Sequence, residues 1–232
     1  MCGIVGLHLK TPGLYPRLGE LLTPMLAAMT SRGPDSAGLA LYRDLPGSAE
    51  PEMEVRKDVG LPEEICRRYD IAERTGFQGI GHTRMATESA VTTEHSHPFA
   101  PAEGLALVHN GSFSNHASVR RRLERDGVRC VTDNDSEVAA RYIAQQLDRG
   151  ADLGDALRMV LKELDGFFTL LVTTTTQFAV MRDSFACKPA VIAETPDYVA
   201  VASEYHALAQ LPGIAGARVF EPVPEEVYTW TR

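Results

Sequence analysis

Short runs of apolar residues, many of them alternating with polar ones, recur along this 232-residue chain and predict β-strands. Several runs are separated only by short turns, which can join antiparallel strands but not parallel ones, so the pattern predicts antiparallel sheets. The runs occupy residues 2–9, 38–42, 53–60, 76–84, 105–110, 167–176, 177–183, 189–195, 198–204, 217–222 and 225–232.

A second periodicity, with apolar residues three and four positions apart, predicts five helices. They cover residues 18–32, 61–75, 114–127, 135–150 and 153–166, and the last three each finish on a glycine, a common helix stop. We therefore predict an α+β protein in which helices pack outside antiparallel sheets. We expect a single domain over residues 1–232, with a hairpin loop at residues 43–53.

Composition and charge narrow the classes of partner. The chain has 31 acidic against 23 basic residues, a net charge of −8, which disfavours general nucleic-acid binding. No apolar run approaches the ~18 residues of a membrane span, and no charged-then-apolar leader precedes Cys2, so we expect a cytoplasmic protein. The basic run "RRRLER" at residues 120–125 is interpreted as the solvated face of a helix, with a docking patch as the alternative.

The cysteines and histidines give little support for a metal site. The four cysteines lie far apart and form no CxxC pair, which disfavours zinc, iron–sulfur and disulfide chemistry. Cys66 and Cys130 are interpreted as packed thiols and Cys187 as either packed or reactive. His95 and His97 have no third ligand nearby in sequence, so we predict no metal site there.

Cys2, in the opening "MCGIVGLHLK", allows two hypotheses. Free cysteine is often buried, so it can be the small first residue of a strand. Alternatively, removal of Met1 makes it the N-terminal residue. Its thiolate would then be a nucleophile and its own α-amino group, with a pKa of about 7.7–8.0, a general base. These ten residues alone do not choose between the two.

Four other segments carry polar residues that strands and helices alone explain poorly: "SRGPDSAG" at 31–38, "GIGHTRMAT" at 79–87, "LVHNGSFSNH" at 107–116 and "TDNDSEV" at 132–138. The structural interpretation is an arginine at a helix end for the first segment, a hairpin turn at Asn-Gly for the third, and helix capping by one of the acids for the fourth. The second segment is a strand that ends in an arginine. Because a helix start follows Asn-Gly, an oxyanion hole made of an amide side chain and a glycine N–H competes with the hairpin.

In this order and spacing, "MCGIVG", "RGPDSAG", "GHTRMAT", "HP", "HNG" and "TDNDSEV" resemble the class II glutamine amidotransferases, which are N-terminal nucleophile hydrolases. The resemblance covers nearly the whole chain and favours the nucleophile hypothesis for Cys2. It implies a four-layer α/β/β/α sandwich with two antiparallel sheets. It also implies hydrolysis of the side-chain amide of L-glutamine through a thioester, a reaction that requires neither a metal nor an organic cofactor.

The resemblance implies catalytic and supporting roles for five residues. Cys2 matches the nucleophile, and Asn110 and Gly111 match the oxyanion hole. Arg32 matches an arginine that steadies the nucleophile's strand. His97 stands before a proline in the loop that hinges over the substrate.

Three further residues match the substrate-binding positions. Arg84 corresponds to the group that binds the α-carboxylate of glutamine, which suits the fork geometry of a guanidinium. Asp135 corresponds to the partner of the α-ammonium, and Thr87 to a further carboxylate contact. Glu88 departs from the family pattern, and its carboxylate would repel the substrate unless the side chain turns away.

Longer matches, "GHTRMATESAVTTEHSHPF", "HNGSFSNH", "RDSFACKPAV" and "VASEYHAL", resemble the glutaminase subunit of split glutamate-synthase-type complexes such as N-methylglutamate synthase. This implies a separate glutamate-synthase-like chain that receives the ammonia, in line with the lack of a P-loop or dinucleotide fingerprint in the sequence. Two alternatives stay open: a free-standing γ-glutamyl amidase, and a non-catalytic subunit that binds glutamine or a partner.

Overall fold

The strands of the chain form two antiparallel sheets. The structure, a computed structural model, describes residues 2–86 and 90–232. Its strands are β1 (Gly3–Leu9), β2 (Ser36–Arg43), β3 (Glu52–Val59), β4 (Gln78–Arg84), β5 (Phe99–Ala102), β6 (Leu105–Phe113), β7 (Gly166–Thr173), β8 (Gln177–Arg182), β9 (Val191–Glu194), β10 (Tyr198–Ala202), β11 (Arg218–Phe220) and β12 (Val227–Thr231).

One sheet has seven strands in the order β11-β9-β10-β1-β4-β2-β3, and the other has five in the order β12-β8-β7-β6-β5. Every neighbouring pair is antiparallel. Strand β1 is central, paired to β4 on one side and β10 on the other. The hairpin loop expected at residues 43–53 does connect two paired strands, β2 and β3.

The five predicted helices are all present: α1 (Leu18–Ala27), α2 (Pro62–Arg68), α3 (His116–Arg125), α4 (Asp135–Asp148) and α5 (Leu153–Glu163). All five are shorter than predicted, and α1 and α2 lose the most because they give way to the 3-10 turns Thr30–Arg32 and Ile71–Glu73. After α2, Asp70 adopts a left-handed backbone with φ of 49°, which cannot continue a right-handed helix. In the described residues, no helix has both the length and the apolar character needed to cross a membrane.

Three apolar clusters hold the layers together. One joins α1 and α2 to the outer face of the seven-stranded sheet, and the second joins α3, α4 and α5 to the outer face of the five-stranded sheet. The third lies between the two sheets and includes Ile4, Ile80, Val108, Leu171 and Val201. This arrangement confirms the α/β/β/α sandwich and the α+β class.

The direction of the side chains follows from the strand alternation. Ile4 of β1 and Val108 of β6 pack between the sheets. Because successive side chains point to opposite faces of a strand, residues two positions away share their direction. Cys2, immediately before β1, and Asn110, in β6, therefore both face the space between the sheets.

Candidate active site

A cavity of about 240 Å³ lies where β1 begins, β4 ends and α4 begins. Its walls include five of the residues that the sequence predicts for the site: Cys2, Arg84, His97, Gly111 and Asp135. They come from five separate segments of the chain, so the fold brings them together from distant positions.

Arg32 lies behind Cys2 rather than in the cavity. Its Nε donates to the carbonyl oxygen of Cys2 over 2.9 Å, and its Nη1 pairs with Glu204 at 2.6 Å. The guanidinium is nearly buried, with 7% exposure, so it needs such partners. These contacts fix the backbone of Cys2 between the turn after α1 and the loop after β10.

Gly3 is required by close packing. A Cβ built at this position would lie 2.8 Å from Met29 Cβ and 2.8 Å from Thr83 Oγ1. Strand β1 therefore approaches its neighbours at the point where Cys2 enters the cavity, and any side chain at position 3 would displace it.

The thiol of Cys2 is partly buried, with its Sγ 3.9 Å from the carbonyl oxygen of Met85. Burial raises the pKa of the Cys2 thiol above its ordinary value, and the positive charges of Arg84 and Lys188 offset only part of that effect. The resting thiol is therefore protonated at neutral pH, and a nearby base must take its proton before it can attack.

Asn110 and Gly111 lie near the end of β6, opposite Thr169 and Phe168 of β7. Asn110 is 2% exposed, and its Nδ2 has no hydrogen-bond partner among the residues described. Buried donors are rarely left unpaired, so this amide is kept available.

Gly111 has φ of 149°, and a Cβ there would lie 2.1 Å from the carbonyl oxygen of Phe167, which excludes any other residue type. Gly111 reaches the cavity wall, whereas Asn110 lies beside it.

Arg84 ends β4, is 5% exposed, and donates from Nη1 to the carbonyl oxygen of Ala90 over 2.9 Å. The motif at residues 31–38 holds the chain around it. The backbone N–H of Asp35 donates to the Arg84 carbonyl, and the Asp35 carboxylate accepts from the N–H of Ala86. The predicted contact of Thr87, with the neighbouring Glu88, lies outside the described residues.

The polar residues at 132–138 have different hydrogen-bond partners and different structural roles. Asn134 is the N-cap of α4, because its side chain accepts from the N–H of Ser136. Glu137 turns back and accepts from two backbone N–H groups and the Thr132 hydroxyl, closing the loop. Asp135 lines the cavity: its carboxylate accepts from the N–H of Phe113 over 2.8 Å and from the Ser136 hydroxyl over 3.2 Å.

Arg120, in the basic run at residues 120–125, has a contact that the sequence did not predict. It donates to the carbonyl oxygens of Thr132 and Asn134, which steadies the loop that presents Asp135. Arg122 of the same run pairs with Glu163. Arg121, Arg122, Glu124 and Arg125 are exposed, as predicted for the solvated face of a helix, whereas Arg120 is half-buried and bonded within the molecule.

Three buried histidines lie beneath the cavity, and sequence patterns identified only His97. The rings of His82 and His97 stack with centroids 3.9 Å apart, and His82 Nε2 lies 2.9 Å from the carbonyl oxygen of His109. Both ring nitrogens of His97 lack a hydrogen-bond partner among residues 2–86 and 90–232. Burial lowers the pKa of all three rings, that of His82 to about 3, so they are neutral at physiological pH.

The loop that carries His97 is held by Lys57 of β3. The Lys57 ammonium donates to the carbonyl oxygens of Glu94, Ser96 and Pro98, at 2.7 Å for Ser96. His95, two residues earlier, turns to Asp133 instead, at 2.7 Å. The two histidines therefore do not converge, and the described part of the chain contains no group of three or more ligating side chains placed to hold a metal ion.

Comparison with known proteins agrees with this architecture. A family model described as "Glutamine amidotransferase domain" matches residues 82–210, more than half of the chain. The chain belongs to this family, and with its two-sheet fold it is a class II glutamine amidotransferase.

Relatives support the assignment over the full length. The "Glutamine amidotransferase-like protein GlxB" of Rhizobium meliloti is 44% identical over 295 aligned residues, which cover 99% of this chain and 98% of the relative. Among solved structures, the glutamine phosphoribosylpyrophosphate amidotransferase of B. subtilis matches with a TM-score of 0.79 and 25% identity over 99% of this chain. A second solved structure, the "allosteric regulatory enzyme of purine biosynthesis", matches with a TM-score of 0.81 and 26% identity over 98% of this chain. The chain spans about half the length of these two enzymes, 49% of the first and 46% of the second.

The buried histidines predict a specific pH dependence of stability. The pKa of His82, His97 and His109 is depressed in the folded protein, whereas in the unfolded chain each titrates near its ordinary ~6.5. Below that pH the unfolded chain binds more protons, so stability is full above pH ~6.5 and falls as the pH drops towards the folded values. Each such group contributes a slope of up to about 1.4 kcal/mol per pH unit.

Urea unfolding between pH 7 and 5 checks this, because ordinary carboxylates titrate mainly below that window. We expect His82→Gln to reduce the slope by up to the contribution of one proton, while His206→Gln, at an exposed histidine, leaves it unchanged. A wild-type stability that stays flat from pH 7 to 5 would contradict the prediction.

Proposed function

We propose that this protein hydrolyses the side-chain amide of L-glutamine with Cys2 as the nucleophile and supplies the ammonia to a separate synthase chain. One observation carries the proposal. A single cavity combines the thiol of Cys2, a glycine N–H beside a buried unpartnered amide donor, a guanidinium from Arg84 and a carboxylate from Asp135. Glutamine offers a matching amide, α-carboxylate and α-ammonium.

The nucleophile acts after removal of Met1. The freed α-amino group of Cys2 is then the base that takes the thiol proton, a need that follows from the raised pKa of that thiol. The sulfur attacks the amide carbon and forms a C–S bond. Ammonia leaves when the C–N bond breaks and the base returns its proton, and water then hydrolyses the thioester to glutamate.

The oxyanion of the tetrahedral intermediate is stabilised by Asn110 Nδ2 and the N–H of Gly111. The unpartnered state of the Asn110 amide supports this role, because a donor already bound within the protein would have to exchange partners during the reaction. Loss of one such donor typically costs ~10²–10³ in rate.

Substrate recognition rests on opposite charges at two walls of the cavity. Arg84 takes the α-carboxylate, Asp135 takes the α-ammonium, and Thr87 adds a carboxylate contact. Arg32 supports the strand of Cys2 through its carbonyl, and His97, on the loop held by Lys57, closes the floor of the site.

The acceptor of ammonia is a glutamate-synthase-like chain, as in the complexes of the N-methylglutamate synthase type, and the protein acts in the cytoplasm. Ammonia released into water near neutral pH becomes ammonium, which is not a nucleophile, so direct delivery has chemical value. Two large apolar side chains, Phe185 and Val131, are 77% and 74% exposed, on the connection that carries Lys188 and on the loop before α4. Exposed apolar side chains of this size support a partner surface at these two segments.

We predict that Cys2→Ala lowers glutaminase activity by more than about 10³-fold, because the nucleophile is lost. The matched control is Cys187→Ala, which changes an exposed cysteine and should keep wild-type activity.

Intact-mass measurement of the active protein should show Met1 removed, and a diazo-ketone glutamine analogue should label Cys2 alone. Full activity with Met1 retained would overturn the amino-base mechanism.

Asp135→Asn should raise KM for glutamine about 10–100-fold with a smaller effect on kcat, because an ion pair to the α-ammonium is lost. Steady-state kinetics check this, with Asp155→Asn at the exposed start of α5 as the control. An unchanged KM would leave Asp135 a structural role, through its contacts with the Phe113 N–H, the Ser136 hydroxyl and His109.

Co-expression tests the partner. We expect kcat/KM for glutamine to rise by about tenfold or more when a glutamate-synthase-like chain is present, because partners commonly order loops over such sites. The Cys2→Ala chain mixed with the same partner controls for activity of the partner itself. A monomer with fast glutaminase activity that no partner changes would favour the free-standing amidase, and an inactive chain that still binds glutamine would favour the binding subunit.

A further inference from the structure

Lys188 lies on the connection between β8 and β9 and is tied to the strand opposite the proposed oxyanion hole. Its carbonyl oxygen accepts from Thr169 Oγ1 over 2.7 Å, and its ammonium lies 4.9 Å from the centre of the Phe167 ring. In the β6–β7 register, Thr169 faces Asn110. Lys188 is therefore anchored directly alongside the Asn110–Gly111 segment.

The side chains involved point towards the nucleophile. Leu171 of β7 packs between the sheets, and Thr169 and Phe167 share its direction by strand alternation. This is also the face that Cys2 and Asn110 occupy. The Lys188 ammonium is thus held at the inter-sheet side of the sandwich, at the end where the cavity lies.

The connection that carries Lys188 is firmly fixed. The Asp183 carboxylate accepts from the N–H groups of Phe168 and Phe185, and Arg182 donates to the carbonyl oxygen of Ala186. The first half of the connection is thus bonded to β7 and β8, and the Lys188 carbonyl is bonded to Thr169, so the backbone of the lysine is attached to the sheet.

The charged groups around the cavity indicate how the Lys188 ammonium acts. Among the described residues, the titratable and charged groups on its walls, besides Cys2, are Arg84, His97, His109, His116, Asp133 and Asp135. The Asp133 carboxylate pairs with His95, and Lys188 adds a positive charge beside the wall that holds Asn110 and Gly111. Within the described chain no carboxylate forms an ion pair with Lys188, so its charge is not neutralised by a neighbour.

We propose that Lys188 is an electrostatic positioning residue of this site: its ammonium, seated over Phe167 beside the oxyanion segment, favours negative charge on the sulfur of Cys2 and on the oxyanion. The inference deepens the proposed function and rests on it for the second of these charges. A cation held in place acts at no reorganisation cost when the charge develops. In the same direction, Lys188 lowers the pKa of the Cys2 thiol against the larger effect of burial.

The test compares Lys188→Met, Lys188→Arg and, as a matched control, Lys162→Met at an exposed lysine of α5. Two quantities are measured: the pH profile of Cys2 alkylation by iodoacetamide, with peptide mapping to confirm the site, and kcat/KM for glutamine. We expect Lys188→Met to move the alkylation midpoint up by about half a pH unit or more and to lower kcat/KM roughly tenfold. Lys188→Arg, which keeps the charge and can stack on Phe167, should restore both, and Lys162→Met should match the wild type.

An unchanged alkylation midpoint in Lys188→Met would overturn the inference, and so would a defect that Lys188→Arg shares equally, because the effect would then follow shape and not charge. Thermal midpoints of the variants separate loss of folding from loss of charge. If the wild type is alkylated at Cys2 but hydrolyses no glutamine, the proposed function fails, while the alkylation profile still decides the role of Lys188.

Discussion

The site depends on the pairing of β1 with strands on both of its edges. Backbone hydrogen bonds to β4 and β10 leave this strand no freedom to shift, and a one-residue slip would turn Cys2 away from the space between the sheets. Gly3 keeps the strand close to Met29 and Thr83, and Arg32 binds the carbonyl of Cys2 itself. Residues near a chain terminus are often poorly ordered unless they are bonded to the rest of the fold. The backbone of Cys2 is bonded to Arg32, and its partly buried thiol lines the cavity.

From that fixed point, the second sheet supplies the complementary groups. Strand β6 runs on the opposite side of the inter-sheet core and carries Asn110 and Gly111 near its end, and α4 begins with Asp135, which is bonded to the last residue of β6. The apolar contacts between the sheets therefore set the distance between Cys2 and the Asn110–Gly111 segment. Apolar packing is the largest stabilising contribution in such a sandwich, so the geometry of the proposed site depends on the inter-sheet core.

Periodicity predicted the five helices and eleven of the described strands because it is a local property, whereas the four-layer order was implied by the resemblance to the family. Periodicity missed β5 because "FAPA" is short, has no alternation and carries a proline, which an edge strand tolerates. Sequence motifs, through the same resemblance, predicted five of the residues on the cavity wall. They did not predict that Arg120 and Lys57 hold the loops of Asp135 and His97, because these contacts join segments distant in sequence.

The same distinction explains the histidine cluster. His82 and His109 each stand in an apolar strand, and nothing in either run indicates that two rings from different sheets will meet a third from a loop. Burying neutral rings with unpaired nitrogens costs free energy, since a buried polar atom without a partner loses its bonds to water. The fold keeps them beside a cavity that also contains an unpartnered amide at Asn110. Other buried polar atoms of residues 2–86 and 90–232 also have no partner, at Thr23 and Ser36 for example, so the lack of a partner does not by itself distinguish the site. What distinguishes it is the grouping of the Asn110 amide with three neutral imidazoles beside one cavity.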